Sequence, residues 1–87
     1  STNDSRPRFL KLTITLHITS DVDVKLIARK LPLIRDNFQL YLRELRSEDL
    51  QGAKGTYKLK EELLLRINQI MSPVIIQDIL FKEMLIN

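Results

Sequence analysis

Residues 10–18 alternate without a slip. Leu10, Leu12, Ile14, Leu16 and Ile18 are apolar, and Lys11, Thr13, Thr15 and His17 between them are polar. A side-chain period of two belongs to a strand with one buried and one wet face, and threonine and isoleucine suit the pleat. Such a strand cannot stand by itself. Its backbone groups need a pairing partner and its apolar row needs a cover.

Thr19-Ser20-Asp21 ends the strand and offers side-chain oxygens that cap a helix start. From residue 22 to about 46 the apolar spacing changes to three and four. Ile27, Leu31, Ile34, Phe38, Leu42 and Leu45 make one stripe for burial. Pro32 falls inside it, and an interior proline costs roughly 3 kcal/mol or more. The expectation is a break into two helices, with Pro32 in the first turn of the second. Leu26, Leu33 and Leu40 form a second row, seven residues apart and to one side of the stripe. A wide buried face is the preferred reading of that row. A seam for another chain is the alternative, and solvent exposure separates the two.

Residues 47–55 hold both glycines of the chain and read as a loop with one helical turn at Glu48-Asp49-Leu50. A third helix starts between Gly52 and Thr56 and runs to about Met71. Leu59, Leu63, Leu64, Ile67, Ile70 and Met71 line its apolar face, while Leu65 turns away beside Lys58 and Glu61. Ser72-Pro73 stops it. Residues 74–86 read as a second strand with two apolar faces: Ile75, Ile79, Phe81 and Leu85 on one, Val74, Ile76, Leu80, Met84 and Ile86 on the other. A strand with one wet face alternates more cleanly. Either both faces are covered or a bulge shifts the register. The class is α+β, a small sheet packed by three helices in the order β-α-α-α-β. Residues 9–87 make a single domain, and polar residues 1–8, with Pro7, make a flexible linker. Two strands are a marginal sheet, so a further short strand or pairing with another subunit is expected.

Chemistry is scarce. The chain of 87 residues has no cysteine, which excludes disulfides and thiolate sites, and its one histidine, His17, sits among threonines on a polar face. Glu61-Glu62 and Glu48-Asp49 are sequence neighbours, which point apart on a helix and form no converging dyad. Gly52-Ala53-Lys54-Gly55-Thr56 lacks the spacing of a phosphate loop and follows no strand. No catalytic, cofactor or metal residues are therefore assigned, and an enzyme is not expected. The net charge is +3. Its basic residues gather at Lys25, Arg29, Lys30, Arg35, Arg43 and Arg46 without interleaved aromatics or a groove-entering motif, so nucleic acid is not the expected partner. The competing reading is a cytoplasmic binder of nucleic acid or anionic lipid through Arg29, Arg35, Arg43 and Arg46. No apolar run reaches the roughly 20 residues of a membrane span. The start on Ser1 points to an excised fragment or a processed product, which leaves room upstream for a membrane anchor or a targeting segment.

The segments L-K-L-T-I-T-L-H-I, L-P-L-I-R-D, K-L-K-E-E-L-L-L-R-I-N-Q-I and Q-D-I-L-F-K-E-M-L-I, in that order, resemble the FliL proteins of the bacterial flagellar basal body. The order is more specific than any one piece. R-I-N is followed by D-I-L-F-K-E, where Asp78, Leu80, Phe81 and Glu83 match the family's closing D-V-L-F-T-E-like strand; Asn87 stands where many members have Gln. The run R-S-E-D-L-Q-G-A-K-G-T-Y-K-L is similar to alphaproteobacterial members. The resemblance implies a single-pass inner-membrane protein whose domain faces the periplasm and is similar to the stomatin-type, ring-forming SPFH domains. It implies no catalysis, and it names the chain's own copies and the flagellar stator proteins as partners in torque and swarming. Residues 1–8 would then link the domain to a membrane helix. The candidate interaction surface is Leu26, Leu33, Leu40 and Leu65 with Arg29 and Arg43.

Overall fold

The computed structural model describes Pro7 and residues 9–87. The linker expected over residues 1–8 therefore lies, Pro7 apart, outside the described residues. The elements are β1 (Leu10–His17), α1 (Asp21–Leu42), a 3-10 turn (Ser47–Leu50), α2 (Gly52–Met71) and β2 (Asp78–Ile86). Among the described residues the sheet has two strands, β1 and β2, paired antiparallel. The α+β class holds, but the helix count does not.

The correction is at Pro32. α1 runs unbroken through it. A proline removes one bond to the carbonyl four residues back, here that of Ala28. Ala28 and Pro32 both lie on the exposed face, where water can take up the freed carbonyl. On the opposite face Ile27, before the proline, and Ile34 and Phe38, after it, enter one core. Burying such side chains is worth about 1.5–3 kcal/mol each, which together outweighs the proline. The helix opens on the Ser20 carbonyl, which accepts from the backbone N–H groups of Asp23 and Val24.

β1 is as its pattern demands, with Leu10, Leu12, Ile14 and Leu16 turned inward and the polar residues outward. β2 carries a bulge. Leu12 faces Met84 and Thr13 faces Glu83, but Ile14 faces Phe81 and Leu16 faces Ile79. Lys82 is thus the extra residue, opposed by nothing on β1. One inserted residue exchanges the two faces of a strand. Ile79, Phe81, Met84 and Ile86 accordingly all lie opposite the apolar row of β1, and Leu80 and Leu85 turn outward, both exposed. Of the two expectations for this strand, the bulge is the one realised. The strand also begins later than its composition suggests, at Asp78. Beyond its far end Asn87 donates its backbone N–H to the Phe9 carbonyl at 2.9 Å, so the chain enters and leaves the sheet side by side.

α2 is the central element, packed on by α1, β2 and the 3-10 turn. Its Leu59, Leu63, Ile67 and Met71 are buried, with Ile76 and Ile79 beside them. The glycines before it have backbone duties. Gly52 takes a φ of 68° where the chain reverses from the 3-10 turn into α2, a conformation that suits glycine. At Gly55 a Cβ would stand 2.7 Å from the Asp49 carbonyl oxygen. Ahead of that turn the Asp49 carboxylate accepts from the Arg46 N–H at 2.8 Å.

Candidate interaction surfaces

The two helices are held together by the R-I-N segment. Arg66 Nε donates to Glu62 Oε2 at 2.8 Å, and its Nη1 donates to Asn37 Oδ1 of α1 at 2.9 Å. Its guanidinium lies 4.6 Å from the centre of the Tyr41 ring. One planar cation therefore satisfies a carboxylate, an amide and an aromatic face together, which a lysine cannot do. At the next turn Lys30 Nζ donates to the Ile70 carbonyl at 3.2 Å, placing a positive charge on the carbonyl end of α2. These fastenings fix which side of α1 meets α2. Leu33 and Leu40 flank Asn37 at i−4 and i+3, so they share its side of the helix.

Leu33 is 56% exposed and Leu40 64%. The preferred reading of the seven-residue row as a wide buried face is corrected at these two positions: the interior is filled by the Ile27–Ile34–Phe38 stripe, and on the Leu33 and Leu40 side α1 reaches α2 through the polar Asn37. Leu26 is half-buried and packs against the core, so it follows that reading. Leu65, on α2, is 54% exposed and lines a shallow depression with Lys58, Glu61 and Asn68. Arg29 on α1 and Arg43 in the turn just past its end are exposed. Asp36 stands between them at seven-residue spacing, so the charges along this row alternate in sign. That is a poor track for a polyanion.

The sheet supplies the other surface. Both outer edges of the β1–β2 pair lack a strand partner among the described residues. Beside β1 an open trench of about 490 Å³ separates it from α1, lined by Leu12, Ile14 and Leu16 on one wall and Leu31, Phe38 and Leu42 on the other, with Ile67 at its floor. The inward residues of β1 are only half-buried as a result. On the outer face Lys11 and Glu83 are 3.6 Å apart, and His17 stands opposite Asp78. The Asp78 carboxylate is held below its usual range, first by the Ile79 backbone N–H at 2.8 Å and then by Lys60 at 3.2 Å. Among the described residues no three His, Cys, Asp or Glu side chains are gathered as a metal site would need, and no helix is long and apolar enough to cross a membrane.

The family profile described as "Flagellar basal body-associated protein FliL" matches residues 1–86. This chain belongs to the FliL family. Two "Flagellar FliL protein" sequences from Caulobacter vibrioides strains are each 43% identical to it over 86 residues, covering 99% of this chain and 42% of theirs. The "Flagellar protein FliL" of Aquifex aeolicus is 28% identical over 78 residues, covering 90% of this chain and 48% of its own. The chain thus spans less than half the length of these curated relatives. The Caulobacter likeness agrees with the alphaproteobacterial character of the loop between the helices.

In this FliL domain the six residues singled out from sequence do not form one patch of a single kind. Leu33 and Leu40 share the Asn37 side of α1, Arg29 lies on the exposed side of α1 with Arg43 just past its end, Leu65 lies on α2, and Leu26 is half inside. Sequence reasoning anticipated open strand edges but missed the trench beside β1, which exists because α1 packs on α2 and stands off from β1. It also missed the work of Arg66 and Asn68. The Glu62–Arg66 spacing of four was a visible signal; the partners Asn37 and Ile76 were not.

Proposed function

We propose that this domain is a non-enzymatic part of the flagellar motor that assembles with copies of itself, ring-like, around or beside the stator units and supports torque and swarming. In this reading it resembles the stomatin-type ring-forming domains, faces the periplasm, and is carried by an inner-membrane helix upstream of residue 9. The observation that carries the proposal is family membership across residues 1–86. The exposed Leu33, Leu40 and Leu65 and the open-edged sheet support it, since these are features a solitary domain keeps small.

The test is in the full-length protein in its own cell. Leu33→Lys with Leu40→Lys should leave protein level and fold intact, shrink swarm diameter and reduce the higher species trapped by amine cross-linking at the membrane. Wild-type swarming with an unchanged cross-linked ladder would remove these leucines from the assembly. A ladder that wild-type protein itself fails to give would sink the self-assembly.

A further inference from the structure

Among the described residues, nothing covers one edge of β1. Over its eight residues it carries no proline, no bulge and no inward charge, the devices by which edges are usually blunted. Beside it the trench leaves apolar side chains of β1 and α1 open on the same side. A strand laid along that edge would meet both needs, bonding the free backbone groups and covering the trench.

Charge selects which strand. On the outer face β1 carries Lys11 and His17 and no acid, whereas β2 carries Asp78 and Glu83, with one exposed cation, Lys82, at its bulge. A second β1 laid antiparallel would bring Lys11 towards the neighbour's His17, base towards base. A β2 from a second copy brings Glu83 to Lys11 and Asp78 to His17, which are the pairings the chain already makes within itself. Its inner face then lies on the trench side, with Phe81 and Met84 half-buried and Ile79 inside its own copy's core, and its bulge falls at the same place on the ladder. We propose that β1 of one copy accepts β2 of the next as a third, antiparallel strand, so that the sheet runs on from copy to copy. The contact joins unlike edges, so each added copy presents the same free edge again, the geometry of rings and filaments and not of two-fold dimers. This inference rests on the self-assembly proposed above and specifies its joint.

The absence of cysteine in the chain allows a clean test. Thr15 and Leu80 face each other across the β1–β2 ladder on the outer face, both exposed. Chains bearing only Thr15→Cys and chains bearing only Leu80→Cys, each held by an N-terminal polyhistidine tag at high density on nickel-chelating lipid vesicles, are mixed and mildly oxidised. The expected product is the mixed disulfide, one Thr15→Cys chain joined to one Leu80→Cys chain, in excess over both like-with-like products. Lys11→Glu in both chains should abolish that excess, and Lys11→Glu with Glu83→Lys should restore it. A dominant disulfide between two Thr15→Cys chains overturns the proposal in favour of a two-fold joint. An amine-cross-linked ladder of wild-type copies without the mixed disulfide overturns the joint and leaves the assembly standing. Absence of both overturns the two together.

Discussion

At the residue scale the fold turns on two side chains of α2. Asn68 Oδ1 accepts from the Ile76 N–H at 2.7 Å, while its Nδ2 donates to the Ile76 carbonyl at 3.2 Å and to the Leu64 carbonyl at 3.1 Å. The amide thus pairs with Ile76 as a neighbouring strand would. Ile76 is almost wholly buried, so water cannot replace the partner. Asn68→Ala should cost about 2 kcal/mol, a fall of roughly 10 °C in Tm. Asn68→Asp should be worse, because a carboxylate has no hydrogen for the Ile76 carbonyl; thermal melts of the two variants check the ranking, and an unchanged Tm would deny the clamp. Tyr41 reports on the Arg66 side. Burial first, and the Glu62 carboxylate next, raise its phenol above 10.0, with Arg66 opposing. The folded state holds this proton more tightly than the unfolded chain. The contribution is therefore complete below the unfolded value near about pH 10 and is lost as pH rises through the folded one. In a Tyr57→Phe background, the phenolate absorbance of the native protein should rise at higher pH than in urea. Equal midpoints would mean that Tyr41 is not screened as described. R-I-N stood out in the sequence as a family mark, yet its mechanics were not legible there. Its partners lie on other elements, and helical spacing reports only on neighbours within a turn or so.

At the scale of elements, period predicted well and interruption predicted badly. The alternation of β1 gave its bounds to within a residue, because burial on one face imposes one period, and α2 starts at Gly52, the early end of the range expected for it, and ends at Met71, ahead of Ser72-Pro73. Pro32 was read as a break because local propensity was weighed without the core that Ile27, Ile34 and Phe38 share across it. Pro32→Ala should then stabilise the domain. The regained helix bond is set against about 0.4–1 kcal/mol of lost rigidity in the unfolded chain, leaving a gain of roughly 2 kcal/mol. A raised urea midpoint with unchanged m-value is the expected outcome, and a lowered midpoint would show that the proline is needed. The bulge offers a sharper trial. Deleting Lys82 leaves Ile79, Phe81, Met84 and Ile86 on one face by simple alternation, so the shortened chain should still fold, with native near-ultraviolet circular dichroism. Inserting an alanine between Leu12 and Thr13 puts half of β1 out of phase and should not be tolerated.

For the molecule as a whole, the division between what holds it and what it offers is sharp. Leu63 is wholly buried in α2, and Leu63→Ala should destabilise by about 2–5 kcal/mol. Leu33→Ser and Leu40→Ser together should fall within about 0.5 kcal/mol per site. Chemical unfolding of both proteins checks the contrast, and a large loss from the serine pair would mean that these leucines serve the monomer. The class and most of the chain's order were legible from its sequence. Surface was not, because a leucine at helical spacing looks the same whether it faces a core or a furrow, and only the fastening of α1 to α2 by Arg66 and Lys30 decides. The side-by-side entry and exit at Phe9 and Asn87 have a mechanical consequence. A pull between residue 9 and the helices runs along β1 and loads its cross-strand bonds, which lie perpendicular to the strand, all at once. A pull between residues 9 and 87 opens the same ladder one rung after another. The strand pair is thus a firm mooring for tension borne by the helices and a zip fastener for tension applied across its two outer ends.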